Sequence, residues 1–445
     1  MKEDKKKVFI KNFGCQMNVR DSEVISGLLR AMNYELITNP DEADVVIFNT
    51  CSVRQHAEDK VWSEVGRINK STVHGPRSTD CGRSTVDRKP IVGIVGCMAQ
   101  NYKDAIFQRA PQVDFVVGPS DIHKIPEIIK RLTSSYLPVR QAGKLQASVA
   151  MEHESCSLQP AAPNLFEHKI WETDGEVRPE EIYHTGYYED KEHAYVVISE
   201  GCSNYCSYCV VPYVRGSLHN RSHQDILKEI EEAVDKGLSK ITLLGQNVNA
   251  YQATSHRTQD VSCNSHAACL PAGQAGSLQP ETVNFIKLLE MVNNIKGLKE
   301  FIFITSHPKD TSIELFQAMR DLDKLKKYLH LPIQSGSDRI LKAMNRSYTR
   351  KFYLDLVDKY RKIVKGAVLT TDIIVGFPTE SEEDFQDTYN LVKDIQFNAA
   401  YIFKYSPRPN TEAARMQDDV PLKEKEKRHK IILELQKEIS KKRKV

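Results

Sequence analysis

Short apolar runs alternate with helical periodicities along most of the chain. Near the start, Val8-Phe9-Ile10-Lys11-Asn12-Phe13, the run 43–49, Ile91-Val92-Gly93-Ile94-Val95 and Phe115-Val116-Val117-Gly118 read as strands. Between them, residues 22–32 place apolar side chains at 24, 25, 28 and 29, and residues 56–68 and 122–132 repeat the helical spacing. Strands alternating with helices predict a parallel, doubly wound sheet over residues 1–138. The alternation resumes at 192, with strands expected at 194–200, 240–244, 301–305, 328–333, 369–375 and 399–403. Ser222, with Asp225 three residues on and Gly237 as a stop, brackets a helix between the first two. These six βα-type units predict a partial (β/α) barrel over 192–412, since a full barrel needs eight.

Polar, turn-rich segments interrupt this pattern at 71–89, 141–191 and 252–282, where surface loops or disorder are expected. Residues 139–191 thus read as a polar linker or insert between the two domains. Residues 413–445 read as a C-terminal basic helical tail, with Ile431, Ile432, Leu435 and Ile439 on its apolar stripe.

Bulk charge adds little: 62 Lys and Arg against 59 Asp and Glu leave a net charge of +3, so no global basic field points to nucleic acid. The charged start Met1-Lys2-Glu3-Asp4-Lys5-Lys6-Lys7 is unlike a signal peptide, and no apolar run reaches a membrane-spanning length. A cytoplasmic protein without membrane contact is expected. In that reducing compartment its 10 cysteines bind metal or react more often than they form disulfides.

The cysteines change the picture. Cys202, Cys206 and Cys209 form a C-x3-C-x2-C run directly after the first barrel strand. Three thiolates this close can hold three corners of a cubane iron–sulfur cluster, leaving one iron open. The plainer alternative is a zinc knuckle, which needs a fourth ligand that does not follow nearby. Cys15, Cys51 and Cys97 each stand just past a strand of the first domain, on the sheet edge where ligands bind in α/β folds. A lone cysteine there is usually a small buried hydrophobe, whereas three at equivalent positions suggest a second cluster. Cys81, Cys156, Cys263 and Cys269 fall in the polar inserts and read as free thiols.

Gln246, Asn247, Ser306, Gln334 and Ser335 collect just past barrel strands. Singly, such residues cap helices and satisfy turns; together, on the rim that carries Cys202, they suggest a cradle for an adenosine and an amino acid. Asp372 falls within a strand and is either a ligand contact or a satisfied buried carboxylate, and His307 reads as an ordinary loop histidine.

The C-x3-C-x2-C run ahead of a partial barrel resembles the radical S-adenosylmethionine enzymes, and a three-cysteine domain in front resembles the methylthiotransferases among them. Phe13-Gly14-Cys15-Gln16-Met17-Asn18, Asp21-Ser22-Glu23 and Asn49-Thr50-Cys51-Ser52-Val53-Arg54 are similar to the branch that modifies isopentenyl-adenosine beside the tRNA anticodon. Gly245-Gln246-Asn247-Val248-Asn249, the stretch from Leu331 to Ser337, Met344-Asn345-Arg346 and Ile374-Val375-Gly376-Phe377-Pro378 extend the resemblance over nearly the whole chain. It implies a 4Fe–4S cluster on Cys202, Cys206 and Cys209 that binds S-adenosyl-L-methionine and yields a 5′-deoxyadenosyl radical. It also implies a sulfur-donating 4Fe–4S cluster on Cys15, Cys51 and Cys97, with Tyr208 packing beside the adenine of the cofactor. The implied partners are the tRNA anticodon stem-loop and an electron donor such as a flavodoxin or ferredoxin, with the chain acting as a monomer. The branches acting on threonylcarbamoyl-adenosine or on a ribosomal protein are enzymatic alternatives, and a zinc-containing RNA-binding protein is the non-enzymatic one. Two departures from the family stand out. After Val211-Pro212-Tyr213-Val214-Arg215-Gly216 the usual acidic stretch is replaced by Ser217-Leu218-His219-Asn220-Arg221, and the C-terminal RNA-binding β-barrel module is expected to be absent.

Overall fold

The computed structural model describes residues 5–52, 55–71, 89–135, 169–254 and 282–442. Cys81, Cys156, Cys263 and Cys269 lie outside them, as does most of each polar insert. The chain divides into two compact units, Met1–Tyr187 and Tyr188–Val445.

The first unit is built on β1 (Lys7–Phe13), β2 (Glu35–Leu36), β3 (Val45–Thr50), β4 (Ile91–Gly96), β5 (Phe115–Val117) and β6 (Ile170–Glu172). They form one sheet in the order β2-β1-β3-β4-β5-β6, and every pairing is parallel. Every residue of β3 and β4 is buried, as expected of central parallel strands covered on both faces. From β1 the chain goes out to β2 on one side and returns to β3 on the other, so the strand order reverses at β1/β3. Such a switch point opens a crevice at the carboxyl edge of the sheet.

The structure corrects the linker reading of 139–191. Its end belongs to the first unit, with β6 extending the sheet through Phe115↔Ile170 and the amide of Gly118 donating to Glu172 at 2.7 Å. Just beyond, Arg178 is buried and donates to Asp21 at 2.7 Å, while Arg20 donates to the carbonyl of Tyr183 at 2.7 Å. A three-residue strand with one aromatic side chain is too short to show a period in the sequence.

In the second unit β7 (His193–Val197) leads into β8 (Ser199–Glu200), which turns aside to pair antiparallel with β9 (His219–Asn220). The strand expected at 194–200 is therefore two. Then come β10 (Lys240–Leu244), a small antiparallel pair of β11 (Gln252–Thr254) and β12 (Thr282–Asn284), β13 (Glu300–Ile304), β14 (Tyr328–His330), β15 (Val368–Val375) and β16 (Ala399–Lys404). Parallel triplets β7-β10-β13 and β14-β15-β16 meet through a parallel bridge between Phe301 and Leu325. The result is a partial barrel of six parallel strands in sequence order. One apolar core runs through it from Ala194 to Ile439. Ser222 caps the helix His223–Asp235 by accepting from the amide of Asp225.

That core includes the C-terminal helix, Leu422–Lys442, which the sequence presents as a separate basic tail. Ile432 and Ile439 are buried in the barrel core, and Ile431 and Leu435 pack against it. Two of its basic residues are also inside: Arg428 pairs with the fully buried Glu380 at 2.7 Å and Lys425 with Asp418 at 2.6 Å. Lys and Arg at these positions look solvated in sequence because Glu380 and Asp418, the carboxylates that pair with them at 2.7 and 2.6 Å, lie before the helix.

Candidate metal centres

In the first unit, register places Phe13, Thr50 and Gly96 side by side across β1, β3 and β4. Cys15 follows two residues past that line, and Cys51 and Cys97 follow one past it. Neighbouring strands lie about 4.8 Å apart, so the three cysteines occupy adjacent positions on one carboxyl edge. Cys15 N-caps the helix Gln16–Ala31 and is half-buried; Cys51 and Cys97 are buried.

A polar lattice holds this edge. Asn18 accepts from the amide and thiol of Cys15 (3.3 and 3.4 Å) and donates to the Asn49 side chain and the Thr50 carbonyl (3.0 and 3.1 Å). Asn49 donates back to the carbonyl of Asn18 at 2.7 Å. On the other side Ser52 donates to Glu58 at 2.6 Å, and Asn101 and Tyr102, from the helix that begins at Cys97, donate to Ser52 and Glu58 at 3.1 and 3.0 Å. Three cysteine turns are thus tied to one another by buried and partly buried hydrogen bonds. The sequence shows the asparagines only as neighbours of cysteines; their mutual bonds span 31 residues.

In the barrel, Gly201 (φ +70°) makes the turn from β8, and a Cβ there would lie 2.1 Å from the Ser217 carbonyl oxygen. Cys202 follows, its amide bonded to the Gly216 carbonyl at 3.1 Å. The loop is then pinned to the opposite side of the barrel mouth. Ser207 receives at its carbonyl from the Ala413 amide (2.7 Å) and donates its amide to Met344 (3.0 Å), while Asn345 donates to the Tyr205 carbonyl at 2.8 Å. Cys206 is buried, and Cys202 and Cys209 are half-buried. Burial, reinforced by the neighbouring Cys206, pushes the Cys209 thiol up to about 12, and burial also raises Cys202. These thiols ionise readily only against a nearby positive centre, as metal ligands do.

A second observation concerns polar atoms without partners. Ser199 Oγ, Gln246 Oε1, Asn247 Oδ1, Ser306 Oγ and His307 Nε2 are all buried with no hydrogen-bond partner. They stand just past β7, β10 and β13, three adjacent strands, on the same rim as Cys202. Buried polar atoms are normally satisfied, so this row fits a polar ligand laid along the rim. Burial, with Arg346 and Lys309 adding to it, depresses His307 to about 2, and its Nδ1 accepts from the Lys309 amide at 3.2 Å. The imidazole is therefore neutral, with Nε2–H a donor aimed at no protein acceptor. In sequence it reads as a plain loop histidine, and only burial marks it out.

The remaining candidates are placed differently. Asn247 also donates to Asp310 at 2.7 Å, which orients its free oxygen. Gln334 adopts φ +73° and bonds through its backbone to Asp372 and Ile374 on β15. The Ser335 hydroxyl is engaged by Thr388 at 3.3 Å and the Ser337 amide at 3.2 Å, so it shapes the turn. Asp372 faces His330 Nε2 at 3.3 Å, and His330 Nδ1 meets Thr370 Oγ1 at 2.9 Å. Tyr208 packs in a small cluster with Ile340, Met344, Phe377, Tyr405 and Ala413, its hydroxyl 3.4 Å from Arg346. Among the described residues no three Cys, His, Asp or Glu side chains are grouped as the ligands of a single metal ion. A cubane spreads its thiolates over separate irons and calls for wider spacing.

Residues 7–118 match the model of the uncharacterized protein family UPF0004, and residues 196–392 match the radical SAM superfamily. The tRNA-2-methylthio-N(6)-dimethylallyladenosine synthase of Thermoanaerobacter sp. is 38% identical over 97% of this chain and 78% of its own length. That of Clostridium perfringens is 37% identical over 94% of this chain and 79% of its own. The chain belongs to this family of synthases. Outside the family, the fold is similar to that of the radical S-adenosylmethionine methyltransferase TsrM from Kitasatospora setae. Its complex with tryptophan and a cofactor analogue gives a TM-score of 0.53 at 11% identity, covering 92% of this chain and 75% of that one. Cys15, Cys51 and Cys97 lie within the UPF0004 match, and Cys202, Cys206 and Cys209 within the radical SAM match.

Proposed function

We propose that this chain is a tRNA methylthiotransferase that places a methylthio group on carbon 2 of isopentenyl-adenosine beside the anticodon. The observation that carries the reading is the pair of three-cysteine sets, each on the carboxyl rim of its own parallel sheet, in a chain of the synthase family. Cys202, Cys206 and Cys209 would hold one 4Fe–4S cluster, and Cys15, Cys51 and Cys97 the other. When bound, the first cluster with S-adenosylmethionine supplies a radical able to abstract hydrogen from the adenine, and the second supplies the sulfur.

The chain's own residues bind and orient. Ser199, Gln246, Asn247, Ser306 and His307 offer hydrogen-bonding atoms along the rim, in reach of a ribose and an amino-acid head group. Asp372 adds a carboxylate braced by His330. Asn18 and Asn49 fix the turn that carries Cys15 against the end of β3. Among the described residues no helix is long and apolar enough to cross a membrane. The chain is taken to act as a cytoplasmic monomer, with the tRNA anticodon stem-loop as substrate and a flavodoxin or ferredoxin as electron donor.

Anaerobic reconstitution should give a brown protein with about eight irons per chain, four per cluster, and release 5′-deoxyadenosine on reduction. Mass spectrometry of tRNA from a strain deleted for the native synthase, with and without this chain, tests the substrate. Absence of the methylthio group from isopentenyl-adenosine in the complemented strain overturns the reading.

A further inference from the structure

Most deeply buried arginines of this protein meet a carboxylate: Arg20 with Glu23, Arg178 with Asp21, Arg221 with Glu229 and Arg428 with Glu380. Arg346 does not. It is 7% exposed, and its hydrogen bonds go to neutral oxygens and one sulfur. Nε donates to the Tyr348 hydroxyl at 2.7 Å and Nη2 to the Pro332 carbonyl at 2.8 Å. Tyr348 is fixed in turn by donating to the Ile333 carbonyl at 3.0 Å. This clamp aims Nη1 at Cys206 Sγ, 3.4 Å away, with the Tyr208 hydroxyl at the same distance.

A guanidinium keeps its charge in any protein environment, and a buried charge without a counter-ion is costly. The anion it faces must therefore come from the Cys206 side. We propose that Arg346 is the built-in counter-charge of the barrel cluster and that its N–H···S contact to Cys206 raises the cluster's reduction potential. This rests on the reading of Cys202, Cys206 and Cys209 as cluster ligands. One electron enters from the external donor, no proton moves, and the cluster with its thiolates becomes more negative by one unit of charge. Attraction to the fixed guanidinium grows by that increment, so the reduced form gains more than the oxidised form. Net charge and hydrogen bonds to sulfur are among the factors that set such potentials. Arg346 is thus a positioning and tuning residue, acting through Cys206.

The test is a redox titration of the whole 445-residue chain carrying Cys15→Ala, Cys51→Ala and Cys97→Ala, so that only the barrel cluster is read by absorbance and electron paramagnetic resonance. In this parent, failure to assemble any cluster overturns the underlying ligand reading and the proposal with it. Given assembly, Arg346→Gln should lower the ratio of reduced to oxidised cluster at the parent's midpoint at least tenfold, about 59 mV for a one-electron couple. Arg346→Lys keeps the charge but loses the fork, and should shift in the same direction by less. An unchanged or more positive midpoint, in whichever variant assembles the cluster, overturns the proposal. Failure of both variants to take up iron while keeping the parent's far-ultraviolet circular dichroism supports the counter-charge role. A merely structural arginine would change stability and leave the midpoint where it was.

Discussion

Replacing Gly96 by alanine tests whether the first cysteine set depends on the sheet edge that carries it. Gly96 ends β4 with φ +92° and ψ −157°, a region that side-chain-bearing residues occupy at a cost of about 1–3 kcal/mol. Its new Cβ would stand 2.6 Å from Asn49 Oδ1 and 2.7 Å from the Thr50 carbonyl oxygen. The carbonyl is part of the parallel ladder and cannot retreat, so Asn49 must. Its reciprocal bonds with Asn18, at 3.0 and 2.7 Å, would be lost at about 1 kcal/mol each. The sum is about 3–5 kcal/mol, confined to the first unit. Both tryptophans of the chain, Trp62 and Trp171, lie in that unit, so their fluorescence reports its unfolding alone. With a urea slope of about 2 kcal/mol/M, the fluorescence midpoint should fall by about 2 M. Iron after anaerobic reconstitution should drop from about eight per chain toward about four, because the barrel cysteines are untouched. An unchanged midpoint with full iron would refute the argument that this glycine is required by the Asn18–Asn49 lattice.

Three further outcomes follow from the same geometry. Asn18→Ala leaves the Thr50 carbonyl and Asn49 without their donor and should destabilise the first unit by about 1–3 kcal/mol, read as a lower tryptophan-fluorescence midpoint in urea. Arg428→Met strands the buried Glu380 carboxylate and should cost the barrel unit about 3–5 kcal/mol, measured by circular dichroism in urea; a loss near zero would return the C-terminal helix to the status of a tail. His307, held neutral down to about 2 by burial, takes no proton in the folded state while the unfolded chain protonates below about 6.5. The unfolded state therefore binds more protons as pH falls, and stability is lost with acid. Between pH 7.5 and 5.5 the loss from this one group is about 1.4 kcal/mol, and His307→Gln should remove that increment from the pH dependence of the urea midpoint.

What the chain of letters settled by itself was local. Strand runs such as Ile91–Gly96, the capped helix after Ser222 and the spacing of Cys202, Cys206 and Cys209 follow from periodicity, capping and short-range spacing, all of which act over a few residues. The placement of Cys15, Cys51 and Cys97 at strand ends was legible for the same reason. Tertiary structure decided which strand ends are neighbours, because register between β1, β3 and β4 depends on a sheet whose members are dozens of residues apart. It drew β6 into the first sheet and the C-terminal helix into the barrel core, where burial of Ile432 and the Arg428–Glu380 pair outweighs a basic, tail-like composition. It also decided charge and solvation at the candidate site: a neutral His307, a row of unpartnered oxygens, and an Arg346 with no carboxylate beside it. Burial and electrostatics depend on everything packed around a group, and no window of sequence contains that.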